Sequence, residues 1–185
     1  MSNEQFSHEF QPADELAIVK ALHRYCRACD RHDAALLRSV FHDDAIIHHP
    51  PLNAPVDEFC GNLIEFVHGL GPSLHYISNI LIEFEDGVAY TEAYFTAWHH
   101  LPAEMAPNTV FAAHKSGVAE DVHMGGRYFN WFKRRLGCWR IFRHSTIVEW
   151  ERWEVTNNRT ALTDLGRRLS RIDRSDPAYD RSKAD

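Results

Sequence analysis

His75 and Asn79 are polar exceptions in a long apolar and aromatic stretch, SLHYISNILIEFEDGVAYTEAYFTAWHH. Its pattern is two strands around Asp86-Gly87, a dipeptide that favours a two-residue hairpin turn. Such a turn sets His75 opposite Trp98, Ile77 opposite Thr96 and Asn79 opposite Tyr94. Strand side chains alternate, so these six share one face, and Tyr76, Ser78, Phe95 and Ala97 share the other. A buried imidazole is costly unless it is hydrogen-bonded. Asp30 is placed to satisfy it, one turn beyond Cys26 at the end of an amphipathic helix. A carboxylate on one ring nitrogen fixes the tautomer and leaves the other nitrogen free as a base. The competing readings are a core histidine and an Asp30 that only caps the next helix.

The elements that must position this pair follow from periodicity and punctuation. Residues 1–11 read as a flexible polar lead. Asp14 is the expected cap of a first helix over 15–30, whose Ile18, Leu22, Tyr25, Cys26 and Cys29 recur at helical spacing. Asp33 can cap a second helix through AALLRSVF, and AIIHHPP reads as a brief edge strand ended by prolines. Val56 to Leu70 suits a third helix closed by Gly71 and Pro72. A second hairpin is expected around Arg135-Leu136-Gly137. Residues 101–120 have no clear period, which suits a lid or a piece docked on another subunit. Residues 154–185 read as a charged tail with one short helical stretch near ALTDLGRRLS.

Helices first and antiparallel strands second define an α+β domain, here over residues 12–153. A curved sheet with helices on one face leaves an apolar pocket between the layers. Both sheet faces are rich in apolar residues, so the second face predicts a homo-oligomer.

Composition bounds the function. The chain has 185 residues, 44% hydrophobic and 25% charged, which suits one domain with a sizeable core. A net charge of -6 argues against a general nucleic-acid binder. No apolar run approaches the roughly 20 residues of a membrane span, so no membrane partner is expected. The polar start MSNEQFSHEF shows no secretion signal, and four cysteines are too few for a disulfide scaffold. A cytoplasmic protein is expected.

Other motifs carry less. Cys26 and Cys29 form a CxxC, but late in a helix rather than at the helix start that activates a thiol, so both read as buried packing. The 13 histidines include His48-His49 and His99-His100, yet neighbours on a strand point to opposite faces and do not chelate one ion. No metal and no cofactor are expected. Gly125-Gly126 reads as a strand entry or bulge, Lys133-Arg134-Arg135 as a solvated turn, and Asn158-Arg159-Thr160 as an irrelevant glycosylation match. His49 is expected near the pocket mouth.

Several pieces recur together in order and spacing: Tyr25, Asp30 and Asp33; Phe41, Asp43 and Asp44; His75 and Asn79; Gly126-Arg127-Tyr128; Trp139-Arg140-Ile141. Over about residues 12–153 they resemble the SnoaL-like families of the nuclear transport factor 2-like superfamily. Scytalone dehydratase, hexachlorocyclohexane dehydrochlorinase and bile-acid 7-alpha-dehydratase are the members most similar in these pieces. The resemblance implies a cone-shaped curved antiparallel sheet wrapped around the N-terminal helices, often in a trimer or dimer. It also implies cofactor-free elimination by an Asp–His dyad. Carried over by position, Asp30 is the carboxylate, His75 the base, Tyr25 a helix tyrosine of the dehydratases and Arg127 a cavity arginine. No additional strand acid is found between Tyr94 and Trp98, and His99 and His100 compete for the place of a second strand histidine.

The expected reaction is a lyase elimination on a hydrophobic, aromatic small molecule: dehydration, dehydrochlorination, or retro-aldol release of an aldehyde. Asn79, Tyr94, Trp98, His49 and Phe129 are the expected substrate-binding side chains. An isomerase or cyclase with the same base, and a non-catalytic binding or assembly module, are the alternatives, since fold does not settle function.

Overall fold

The first helix, α1 (Pro12–Asp30), starts where Pro12 takes a position that needs no N–H. Gln11 is its cap; the Asp14 carboxylate accepts the Gln11 N–H at 3.0 Å from three residues inside, so Asp14 is not the expected cap. Asp14 is nonetheless buried, held by the Trp139 indole N–H at 2.7 Å. The computed structural model describes residues 10–104, 117–156 and 170–180. The central part of the expected lid, the helical stretch near ALTDLGRRLS up to 169 and most of the N-terminal lead lie outside them.

Asp33 caps α2 (Ala34–Ser39) as expected, accepting the Leu36 N–H at 3.0 Å. Then come β1 (Phe41–His48), α3 (Val56–His68), β2 (Ser73–Glu85), β3 (Val88–Leu101), β4 (Glu120–Arg135) and β5 (Cys138–Val155). They form one curved sheet in the order β1-β5-β4-β3-β2. β1 is an edge strand, parallel to β5; all other pairs are antiparallel. Both hairpins turn where expected. Asp86 and Gly87, and then Leu136 and Gly137, have positive φ, the geometry that matches strand twist.

The helices cover one face of the sheet. Ile18, Leu22, Tyr25 and Cys29 of α1 meet Phe41, Phe59, Phe95, Tyr128 and Ile141 in a single core. Three bulges interrupt the antiparallel pairs, and the parallel β1–β5 register also shifts between Phe41 and Ile46. One sits in β2, between Ser78 and Leu81, where Asn79 takes a φ of 48°. Two sit in β5, opposite the Gly125/Gly126 and Trp131/Phe132 junctions of β4. At the first of these β5 junctions the backbones close in so far that a Cβ on Gly126 would run into the Ile147 carbonyl. A glycine is needed there because of that approach. The pair Gly125-Gly126 is thus a bulge site, as expected.

The β2 bulge alters the predicted faces. From Leu81 to Glu85 the pairing is the expected one, Leu81 with Glu92 and Glu85 with Val88. Beyond the bulge it slips by one residue: His75 faces Ala97, Ile77 faces Phe95, Ser78 faces Tyr94 and Leu74 faces Trp98. A one-residue slip moves a strand's side chains to the other face relative to its partner. His75 therefore shares the inner face with Phe95, Ala97 and His99, not with Tyr94, Thr96 and Trp98.

Residues 170–180 lie against α1 and α2. The Tyr179 hydroxyl donates to Asp33 at 2.9 Å, Arg31 pairs with Asp176 at 3.3 Å, and Arg27 stacks on the Tyr179 ring. No helix among the described residues is long and apolar enough to cross a membrane.

Candidate active site

Asp30 ends α1 and is buried at the start of β2. Its carboxylate collects three donors. His75 Nδ1–H donates to Oδ1 at 2.7 Å, the His75 backbone N–H to Oδ2 at 3.1 Å, and the Ser73 hydroxyl to Oδ1 at 3.4 Å. A carboxylate only accepts, so Nδ1 carries a proton, and in the neutral ring the lone pair is on Nε2. That nitrogen has no hydrogen-bond partner among the described residues.

His75 forms part of the wall of a cavity of about 340 Å³. Tyr25 and Cys29 come from α1, Leu63, Phe66 and Val67 from α3, and Phe95 and His99 from β3. Met124 and Tyr128 of β4, Thr146, Val148 and Glu151 of β5, and His49 to Leu52 of the segment after β1 complete it. The lining is mostly apolar with a few convergent polar groups, the usual character of a small-molecule site. On its other side the dyad borders a shallower hollow lined by His23, Arg27, Arg31 and Ala178.

Burial sets the protonation of the groups around the dyad. Desolvation raises the Tyr25 and Tyr128 phenols well above their usual range, so both stay neutral and can donate. Their rings meet edge-on at 5.5 Å, and neither hydroxyl has a partner among the described residues. The same burial, with the Asp30 charge second, pushes the Cys26 thiol up to about 12; Cys29 is raised too, by burial and then Cys26. Neither thiol is a nucleophile. Burial lowers His49 to about 4 and holds His99 and His144 well below the usual imidazole range. Neighbouring imidazoles oppose each other's protonation as the second cause, His75 at His49 and His99 and His49 at His144.

The expected site residues divide cleanly. His75, Tyr25 and His49 come together in the cavity wall, and Asp30 is bonded to His75 from behind. Arg127, Tyr94, Trp98 and Phe129 do not. Arg127 pairs with Tyr94 across the outer face of the sheet. There its guanidinium binds Glu92 at 3.0 Å and Glu149 at 2.7 Å and lies over the Phe129 ring. Its inward neighbour Tyr128 reaches the cavity instead, because strand side chains alternate. Asn79 is exposed at the β2 bulge. Of the two adjacent histidines on β3, His99 is buried in the cavity wall, while His100 turns outward to Asp121 at 2.8 Å. Sequence reasoning missed Tyr128, Thr146 and His144. Tyr128 lies in the Gly126-Arg127-Tyr128 piece, where the resemblance points to the neighbouring arginine. Among the described residues, no group of three or more His, Cys, Asp or Glu side chains is arranged to hold a metal.

Three helices followed by a curved five-stranded sheet define the class by fold: nuclear transport factor 2-like. The SnoaL-like domain model matches residues 11–145, and the chain belongs to that family. Solved structures agree on the fold. A hexachlorocyclohexane dehydrochlorinase, type 2, superposes with a TM-score of 0.66 at 16% identity, covering 80% of this chain and 93% of its own. A protein from Kribbella flavida gives 0.62 at 21% identity, covering 76% and 93%. A scytalone dehydratase-like protein from Novosphingobium aromaticivorans gives 0.60 at 19% identity, covering 76% and 87%. A search of curated proteins returned no significant match.

Proposed function

We propose that this protein is a cofactor-independent lyase that performs an elimination on a hydrophobic, aromatic small molecule. The observation that carries the reading is the 2.7 Å bond between Asp30 and His75 at the wall of an apolar cavity. His75 Nε2 takes a proton from carbon or from a hydroxyl of the substrate. The freed electron pair makes the new double bond and expels chloride, or a hydroxyl group that takes up the proton from the His75 imidazolium and leaves as water. In the retro-aldol variant the hydroxyl proton is taken, the carbon–carbon bond breaks, an aldehyde departs, and the carbanion left behind takes the proton back from the His75 imidazolium. Asp30 stabilises the imidazolium that forms. Tyr25 and Tyr128 donate hydrogen bonds where negative charge grows. The mostly apolar cavity, with Phe66 and Phe95 in its wall, supplies positioning.

The dehydrochlorinase and the dehydratase-like protein with this fold support the lyase class. Exposed Leu74, Tyr76, Tyr94, Ile147 and Trp150 support a homo-oligomer, a dimer or trimer, which light scattering on the eluted protein measures.

The reaction is tested by mass spectrometry. Wild type and His75→Ala are given hydroxylated, chlorinated and diaryl-diol compounds, with no cofactor added. A His75-dependent loss of water, hydrogen chloride or formaldehyde is the expected result and identifies the leaving group. A His75-dependent product of unchanged mass makes the protein an isomerase or cyclase. Equal turnover by both proteins removes the proposed base.

A further inference from the structure

A second polar chain reaches the cavity wall beside His75, and the elimination uses none of it. It begins at Asn130, fully buried in β4, whose side-chain oxygen lies 2.7 Å from Nδ1 of the buried His144. His144 Nε2 lies 3.0 Å from the Thr146 hydroxyl and 3.2 Å from His49 Nδ1. Thr146 is in turn 2.8 Å from His49 Nδ1. The His49 and His144 rings are stacked, with 16° between their planes. The backbone N–H of His49 is held by Asn53 at 2.7 Å. His49 and Thr146 line the same cavity as His75.

Donor and acceptor accounting gives this chain a direction. The Asn130 amide is set with its oxygen toward His144 and its buried NH₂ without a partner among the described residues; an amide oxygen only accepts, so in this setting the neutral His144 donates from Nδ1, and its Nε2 is left with a lone pair. That buried lone pair needs a donor, and Thr146 supplies it. The Thr146 oxygen then accepts from His49 Nδ1–H. With the proton on Nδ1, the His49 Nε2 is bare, and it has no partner among the described residues. The opposite arrangement at His49 would set two imidazole lone pairs against each other at 3.2 Å.

We infer that His49 is a specificity-determining residue. Asn130, Thr146 and His144 hold its Nε2 as a hydrogen-bond acceptor for a second hydroxyl of the substrate, apart from the group that reacts at His75. The cavity then carries two bare imidazole nitrogens, and its ligand is an aromatic molecule with at least two O–H donors. A chlorinated hydrocarbon offers neither donor. The word substrate rests on the lyase reading above; the acceptor role of His49 does not need turnover.

Two measurements test this. The first uses nitrogen-15 NMR of the imidazole rings in the full chain at pH 7.5. His49 is expected as the Nδ1–H tautomer with an unprotonated Nε2, and Asn130→Leu is expected to release that preference in a folded protein. An Nε2–H tautomer at His49 in the wild type, as a reversed Asn130 amide would impose, overturns the inference.

The second is calorimetric binding of 1,2-bis(4-hydroxyphenyl)ethane and its mono- and di-O-methyl ethers. Each lost hydroxyl is expected to weaken wild-type binding by about tenfold, the worth of one hydrogen bond. In His75→Ala one of the two steps survives through His49. In His49→Phe, which keeps a ring against Phe59, only the step due to His75 survives. Equal affinity of the wild type for all three compounds overturns the proposal. So does loss of both steps in His75→Ala. If the lyase reading fails, the product screen shows no turnover while these affinity steps remain.

Discussion

His75→Ala and Asp30→Asn each lower turnover by about 10²–10⁴-fold, and the double variant loses scarcely more than either alone. The His75 loss is that of the base itself. The Asp30 loss works through the tautomer. An asparagine at 30 can present its NH₂ to His75 Nδ1, which moves the ring proton to Nε2, the atom that must be bare to act. It also removes the charge that stabilises the imidazolium. Asp30 accepts from the His75 backbone N–H as well, so its side chain sets the position of the ring along with its protonation. Two groups acting as a unit give losses that do not add. The check is kcat for wild type, both single variants and the double, each confirmed folded by circular dichroism. Losses that multiply would mean that the two residues act separately.

Acid destabilises this protein well before its carboxylates protonate. His49, His99 and His144 are buried as neutral imidazoles, with folded-state pKa values below the unfolded value near 6.5. Above about pH 6.5 both states are neutral at these sites and no difference arises. Below it, the unfolded chain takes up protons that the native state refuses, so stability falls as pH falls. For His49 the loss continues until the native ring itself protonates at about 4. Each such histidine contributes a slope approaching 1.4 kcal/mol per pH unit, and three together about 4 kcal/mol per unit. Urea unfolding at pH 7, 6 and 5 measures this slope. His144→Phe is expected to remove about one proton from it. A stability that stays flat between pH 7 and 5 would mean that these rings take up protons in the native state as readily as in the unfolded one.

The dyad was readable from the chain because each half carries a local signal. Asp30 ends a helix whose apolar stripe is plain, and His75 opens a strand whose turn, Asp86-Gly87, is unmistakable. The pairing of the two strands is less readable, because alternation is trustworthy only up to the first bulge. Asn79, the polar exception, marks the bulge in β2; its short side chain tolerates the left-handed backbone that a β-branched residue would resist. Read as a cavity residue, it carried Tyr94 and Trp98 inward with it. The two bulges of β5 hide Thr146 and His144 in the same way, and only Gly125-Gly126 on the facing strand hints at one of them. Arg127 shows the limit of position-by-position carry-over. In the Gly126-Arg127-Tyr128 piece the strand turns the tyrosine inward and the arginine out to Glu92 and Glu149.

The most direct test of the account is chemical rescue of His75→Gly with free imidazole. The variant is assayed on whichever compound the wild type converts. Turnover is expected to be nearly lost without imidazole and to rise with the concentration of its free base. Asp30→Asn, whose cavity still holds the His75 ring, is expected to gain nothing. Wild-type turnover by His75→Gly in the absence of imidazole would contradict the account, because some other group would then be taking the proton.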